Sequence, residues 1–220
     1  MKIKEFIKKA FFSFIWLAVL MVGIDLMTKL LIVNNLTEGQ SVTLIPGFLW
    51  VTYVRNTNAA FGMGFENPVV NRVLYIVIAM LGASGLSVFY AFRYKKLTLL
   101  PRACIMLIIA GATGNLIDRL FFAVSGYAVV DWINFFDTAW WHWVFNVADA
   151  CIVVAAIILI IYLIIEEVKE YKARKALKKE DDTNEKILSK EEKERLEAEQ
   201  NDSESAEKPV EIEEEHKEEN

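Results

Sequence analysis

Four long apolar runs, separated by shorter polar stretches, make up most of the first three quarters of the chain. They cover residues 11–33, 69–92, 97–122 and 144–165. Each is close to the ~20 mostly apolar residues, range about 17–25, that an α-helix needs to cross a bilayer. The runs are continuous and do not alternate with polar positions, which indicates membrane helices and not a soluble core. The pattern therefore predicts an all-α membrane protein with four transmembrane helices.

The loops between these runs carry weaker signals. Residues 41–45 and 48–54 are rich in β-formers and flank Pro46-Gly47, which predicts a hairpin and a small sheet. Residues 123–143 contain four tryptophans and are typical of a segment at the level of the lipid headgroups. Small residues cluster at 82–85 and 110–114, where we expect helices to pack closely.

Charge divides the chain into two chemically different parts. Residues 1–165 contain eight of the 29 acidic residues and carry a net charge of +4, whereas residues 166–220 contain 21 acids and carry −9. The second part has too few apolar residues to fold alone. We therefore expect a four-helix membrane domain over 1–166 and a charged tail over 167–220 that is disordered or partly helical.

Basic residues predict the orientation of the four helices. Three clusters fall on one side of the predicted membrane: Lys2, Lys4, Lys8 and Lys9; Arg93, Lys95, Lys96 and Arg102; and Lys169, Lys172, Arg174 and Lys175. By the positive-inside rule that side is cytoplasmic, so both termini lie inside and the sheet lies outside. The first run is not a secretory signal, because no small-x-small pattern follows it and Asp25 and Lys29 interrupt its end.

Two cysteines, Cys104 and Cys151, lie near the starts of consecutive helices that run in opposite directions. They would sit at opposite depths, so no disulfide is expected. Neither has a histidine or a second cysteine at ligand spacing, so we predict no metal site and no cofactor. No motif indicates a nucleic-acid partner.

Polar residues inside the apolar runs gather near the external leaflet. They are Asp25, Thr28, Lys29, Asn115, Asp118, Arg119, Asn146 and Asp149. Spacings of three and four residues put members of each group on one helix face. Asp25 with Lys29, and Asp118 with Arg119, are interpreted as charge-compensated structural pairs. Asn115 and Asn146 can simply form hydrogen bonds between helices.

Asp131 and Asp149 differ, because neither has a basic residue within four positions. A charge near the membrane centre costs roughly 2.5–3.5 kcal/mol or more and is usually retained for function. Two carboxylates brought together share a proton, as in aspartic proteases.

Two other classes of function remain open: a small transporter or proton conductor, which predicts acids at all depths, and a scaffold whose tail recruits a partner. The inner halves of the runs lack acids, which weighs against the transporter.

Five sequence blocks, in order, resemble those of the lipoprotein signal peptidase family, also called signal peptidase II. The resemblance covers roughly residues 11–165. The blocks are Ile24-Asp25-Leu26-Met27-Thr28-Lys29, Arg55-Asn56-Thr57-Asn58-Ala59-Ala60-Phe61, Gly111-Ala112-Thr113-Gly114-Asn115-Leu116-Ile117-Asp118-Arg119, Val129-Val130-Asp131-Trp132 and Phe145-Asn146-Val147-Ala148-Asp149.

This resemblance implies a bacterial inner-membrane aspartyl endopeptidase that cuts prolipoproteins before the diacylglyceryl-modified cysteine. It implies that Asp131 and Asp149 are the catalytic pair, and that the sheet is an external β-cradle. It further implies sensitivity to globomycin, and contact with membrane lipids. The positions it assigns to substrate binding or support are Asn56, Asn115, Asp118, Arg119, Asn146, Asp25 and Lys29. We expect a monomer.

The chain departs from the family pattern at two positions. Asn58 stands where the family usually has glycine, and we expect it to keep the turn because asparagine tolerates positive φ. The third block begins with Ala110-Gly111 where a glycine pair is common. Neither departure involves the two aspartates.

Overall fold

The computed structural model describes residues 13–58, 64–136 and 143–206. Its elements, in chain order, are α1 (Ile15–Asn35), β1 (Ser41–Ile45), β2 (Leu49–Asn56), α2 (Pro68–Arg93), α3 (Leu99–Phe121), a 3-10 turn (Ala123–Ser125), β3 (Val129–Phe135), β4 (Val144–Phe145) and α4 (Val147–Ala206). Four helices are long and apolar enough to cross a membrane, over 15–35, 68–93, 99–121 and 147–179. The prediction of four spanning helices is confirmed.

The start of α2 shows how local sequence places a helix end. The Asn67 side chain accepts hydrogen bonds from the backbone N–H groups of Val69 at 2.9 Å and Val70 at 3.4 Å. Pro68, the first helical residue, needs no hydrogen-bond acceptor for its nitrogen. Further along, large apolar side chains such as Leu81 and Phe92 are exposed, as expected for a surface that faces lipid.

Two glycines allow α3 to approach its neighbours closely. A Cβ at Gly111 would collide with the carbonyl oxygen of Ala148 in α4, and a Cβ at Gly114 would lie 2.6 Å from Asp25 Oδ2. The packing role expected for residues 110–114 is therefore confirmed. The same expectation for 82–85 is wrong, since Cβ atoms at Gly82 and Gly85 would meet no atom within 4 Å.

The four strands form one antiparallel sheet in the order β1-β2-β3-β4. The predicted hairpin is confirmed, with Gly47 at φ 76° in its turn. The sequence did not predict β3 and β4, because residues 123–143 were expected only to lie at headgroup level. In the sheet, β3 pairs with β2 so that Asp131 stands opposite Val54. Residues 137–142, which include Trp140 and Trp141, lie outside the described residues, as do the first twelve.

The described chain divides into two units between Leu163 and Ile164. In the second unit α4 remains helical to Ala206. Ion pairs one turn apart, Lys169 with Glu166 and Arg174 with Glu170, are each 2.8 Å long. The tail is therefore more helical, as far as the structure describes it, than its composition predicts.

Candidate active site

Asp131 lies near the middle of β3 and is 2% exposed. Its Oδ2 accepts a hydrogen bond of 2.8 Å from Asn56 Nδ2 at the end of β2. Its Oδ1 accepts one of 2.6 Å from Asn146 Nδ2, in the residue just before α4. Both carboxylate oxygens are therefore held by side-chain amides that come from different elements, which fixes the orientation of the group.

Asp149 lies in the first turn of α4 and forms a capping box with Asn146. The Asp149 backbone N–H donates to Asn146 Oδ1 at 2.9 Å, and the Asn146 N–H donates to Asp149 Oδ2 at 3.2 Å. The other carboxylate oxygen, Oδ1, accepts from Asn115 Nδ2 at 2.7 Å.

Asn146 connects the two aspartates and is fully buried. Its Nδ2 donates to Asp131 and also to Asn115 Oδ1, at 3.1 Å. Burial, and then the nearby Asp149 carboxylate, raise the pKa of Asp131 to about 7, against the hydrogen bonds from Asn56 and Asn146. A carboxyl group with such a pKa can carry a proton at neutral pH while its partner is ionised.

Lys29 is fully buried between two further acids. Its Nζ lies 2.7 Å from Asp25 Oδ2 and 2.8 Å from Asp118 Oδ2, and it donates to Asn115 Oδ1 at 3.3 Å. Asp25 Oδ1 accepts from the N–H of Ala148 at 2.9 Å. Asp118 Oδ2 accepts from the N–H of Val130 at 3.2 Å. This cluster therefore ties α1 and α3 to both segments that carry the central aspartates.

The expected pair of Asp118 with Arg119 is wrong, because Asp118 forms its ion pair with Lys29. Consecutive residues on a helix do not face each other, so their side chains point in different directions. Arg119 instead donates from Nη1 to the Asn115 carbonyl at 3.2 Å and from Nη2 to the Asn58 carbonyl at 3.0 Å. It is 8% exposed and lies over the Tyr75 ring.

A network around Asn58 and Asn71 was missed at the sequence level. Asn71 is 1% exposed, and its Nδ2 donates to Asn58 Oδ1 and to the Phe65 carbonyl, both at 2.8 Å. The Asn58 N–H donates to Asn56 Oδ1 at 2.9 Å, next to Asp131. Asn58 is not among the positive-φ residues, so the tolerance of asparagine for such a φ is not what allows it at this position. The available signal was a lone amide, Asn71, in the first turn of an apolar helix.

A cavity of about 1080 Å³ opens beside the two aspartates. One end is polar, where Asp131, Asp149, Asn115 and Arg119 line it. Most of the remaining lining is apolar, with walls that include Gly82, Gly85, Leu86, Phe89, Ile108 and Ile152. The cavity can thus hold an apolar segment and present a peptide bond to a pair of carboxylates. Within the described ranges, no group of three or more His, Cys, Asp or Glu side chains could hold a metal ion.

The family model described as "Signal peptidase (SPase) II" matches residues 17–165 of the chain. The lipoprotein signal peptidase of Clostridioides difficile (strain 630) is 35% identical over 156 residues, which are 71% of this chain and 97% of that protein. That of Desulfitobacterium hafniense (strain DSM 10664 / DCB-2) is 38% identical over 160 residues, 72% and 97% of the two chains.

Two solved structures of bacterial membrane enzymes are also similar to the chain. A bacterial membrane enzyme, solved by the in meso method at 2.3 Å resolution, superposes with a TM-score of 0.60 and 30% sequence identity. The match covers 70% of this chain and 88% of that one. A second bacterial membrane enzyme, at 1.9 Å, gives a TM-score of 0.57 and 32% identity, with 68% and 90% of the two chains covered.

Proposed function

Because the chain belongs to the signal peptidase II family, and so is a multi-pass membrane aspartyl endopeptidase that removes signal peptides from prolipoproteins, we propose that Asp131 and Asp149 are its catalytic pair. The observation that carries this proposal is that Asn146 contacts both carboxylates at the polar end of the cavity. Family membership leaves the transporter and scaffold alternatives without support.

In the proposed reaction, one carboxylate is ionised and the other carries a proton. The ionised group removes a proton from a water molecule as the water oxygen attacks the scissile carbonyl carbon, and the protonated group donates to the carbonyl oxygen. Collapse of the tetrahedral intermediate breaks the C–N bond, and a proton passes to the leaving amine. The proton belongs to the pair and is not assigned to either aspartate.

The other polar residues are proposed to support this pair. Asn56, Asn115 and Asn146 hold the carboxylates through the contacts described above. Lys29, with Asp25 and Asp118, fixes the segments on which the carboxylates stand. Arg119 lines the cavity at its polar end, where it can contact the polar part of a substrate.

The substrate is proposed to be a prolipoprotein that carries a diacylglyceryl-modified cysteine, cut on the amino side of that cysteine. The apolar cavity suits the hydrophobic end of the signal peptide, and the acyl chains would lie against membrane lipid. We propose that the protein acts as a monomer in the bacterial inner membrane, with both termini in the cytoplasm and the sheet and active site at the external face. Basic residues at 93–96 and 169–175 support this orientation.

Processing of a prolipoprotein in membranes tests the catalytic pair. Asp131→Asn and Asp149→Asn keep the size of each side chain but remove the titratable carboxyl group and its charge. We expect precursor to accumulate with either variant. Asp181→Asn, a change at an exposed acid of the tail, is the control and should process normally. Full processing by a normally inserted Asp131→Asn protein would overturn the assignment.

Thiol labelling of intact cells tests the orientation. Single cysteines at exposed Ser41 in β1 and at exposed Lys95, between α2 and α3, are to be treated with a membrane-impermeant reagent. The native Cys104 and Cys151 are buried, so their background should be low. We expect labelling at position 41 in intact cells and at position 95 only after permeabilisation. The reverse pattern would contradict the orientation.

A further inference from the structure

A second, smaller cleft of about 110 Å³ adjoins the large cavity. Asn56, Thr57 and Arg119 line both spaces, so the cleft begins next to the residue that holds Asp131. Its remaining walls come from the start of α2 and from the turn before β3: Pro68, Val69, Arg72, Gly126 and Tyr127. We call this space the arginine cleft, because Arg72 and Arg119 both line it.

Arg72 is fixed in the arginine cleft by two contacts. Its Nε donates to the Arg119 carbonyl at 2.8 Å, and its Cζ lies 3.9 Å from the centroid of the Tyr127 ring. Its two Nη nitrogens have no hydrogen-bond acceptor in the part of the chain that the structure describes. A planar guanidinium whose outer nitrogens are available can bind a carboxylate through two parallel hydrogen bonds.

No acidic residue lines the arginine cleft, although Asp131, Asp118 and Asp149 lie near enough to Arg119 to interact with its charge. Neither Arg72 nor Arg119 forms an ion pair within the described ranges, whereas Arg55 nearby is paired with Glu38 at 2.9 Å. Arg119 directs its donors at the carbonyl oxygens of Asn115 and Asn58. The cleft therefore offers a ligand the positive charge of Arg72 and the donors of its two outer nitrogens, and Arg72 does not line the large cavity.

The turn that carries Tyr127 is unusual. Gly126 and Tyr127 are consecutive residues at positive φ, 66° and 62°. A bulky residue in this region of backbone space is uncommon, and such outliers cluster at functional sites. Here the turn places the tyrosine ring beneath Arg72. The backbone thus adopts a costly conformation at the residue that positions the arginine.

Asn56 and Thr57 line both spaces, and a substrate is chemically different on the two sides of the bond that is cut. The signal peptide that precedes the cut is apolar, and the mature polypeptide that follows is not. A chain whose apolar side occupies the large cavity and whose cut bond lies at the aspartates would continue into the arginine cleft. We propose that the arginine cleft binds the first residues of the mature polypeptide and favours an acidic side chain there. This inference rests on the proposed function.

Cleavage of matched peptides tests the proposal. Purified full-length protein in phosphatidylcholine bilayers is given peptides with a diacylglyceryl-cysteine that differ only in Asp, Asn or Lys at the second, third or fourth mature position. At one or more of these positions we expect kcat/KM to be about 3- to 10-fold higher for Asp than for Asn, as for a partly buried charge-assisted contact. Lys should be the poorest substrate. Added salt should reduce the ratio.

Three variants assign the preference to Arg72. Arg72→Gln should bring the Asp-to-Asn ratio to about one. Arg72→Lys keeps the charge but loses the parallel N–H groups of the guanidinium, so its Asp-to-Asn ratio should lie between those of Arg72→Gln and the wild type. Arg93→Gln, the same change at an exposed position at the other end of α2, should keep the wild-type ratio. The comparison of the Asp and Asn peptides uses only the wild-type protein, so it does not depend on whether any variant folds.

Equal cleavage of the Asp and Asn peptides at all three positions would overturn the proposal, as would an unchanged ratio in Arg72→Gln. A rate that instead increases with phosphatidylglycerol in the bilayer, whatever the peptide charge, would assign the cleft to lipid headgroups and also overturn it. Failure of the proposed function looks different, because Asp131→Asn would then cleave every peptide as the wild type does.

Discussion

The side-chain amide of Asn146, the residue just before α4, donates a hydrogen bond of 2.6 Å to Asp131 Oδ1. The same residue caps the helix and holds Asp149 through its backbone N–H. Helix initiation and carboxylate positioning therefore depend on one asparagine. Any change that displaces the first turn of α4 alters the relation between the two aspartates.

The pH dependence of cleavage follows from the raised pKa of Asp131. Its pKa of about 7 lies above the ordinary 3.8, so the pair retains a proton at mildly acidic and neutral pH and loses it as the pH increases through about 7. Because the proposed reaction needs one proton on the pair, kcat/KM should decline above about pH 7. A pH–rate profile from 5 to 9 measures this. A rate that increases steadily up to pH 9 would contradict it.

Lys29→Met should destabilise the membrane domain strongly. It leaves Asp25 and Asp118 buried without their shared cation, and the loss of one partner from a buried ion cluster costs about 3–5 kcal/mol. Thermal unfolding in detergent micelles measures the effect. Lys169→Met, which removes a pair of the same 2.8 Å length at an exposed site, should cost about 0–1 kcal/mol. Equal losses in the two variants would be inconsistent with this role for Lys29.

Gly111→Ala should reduce both stability and activity. The added methyl overlaps the Ala148 carbonyl, next to Asp149, and overpacking of this kind costs about 1–3 kcal/mol. Gly23→Ala is the matched control, since its Cβ meets no atom within 4 Å. Unfolding temperature and kcat/KM are the readouts. If Gly111→Ala matched Gly23→Ala in both, α3 and α4 would not pack as closely as described.

Gly85→Leu should weaken substrate binding without unfolding the protein. Gly85 lines the large cavity, and a Cβ there meets no atom within 4 Å. A leucine side chain would therefore extend into the space that is proposed to bind the apolar part of the substrate. We expect a higher KM at an unchanged unfolding temperature. Gly23→Leu, which also projects into open space but away from the cavity, should leave KM unchanged. An unaltered KM in Gly85→Leu would show that substrate lies elsewhere.

Local sequence was enough to predict the helices and the convergence of polar residues, because both depend on the continuity of apolar runs and on spacings of three and four. Partners distant in sequence could not be predicted in this way. Lys29 meets Asp118 across 89 positions, whereas the neighbour Arg119 points elsewhere on the helix. Likewise, β3 is a strand because β2 pairs with it, which periodicity within 129–135 does not reveal.

Cleavage by purified single and double aspartate variants tests the catalytic pair most directly. The rate of a single turnover on a diacylglyceryl-cysteine peptide is compared for the wild type, Asp131→Asn, Asp149→Asn and the double variant. If the aspartates act as one unit, each single change should reduce the rate by about 10²–10⁴-fold, and the double change should reduce it little further. A wild-type rate in either correctly folded single variant would contradict the assignment of that aspartate.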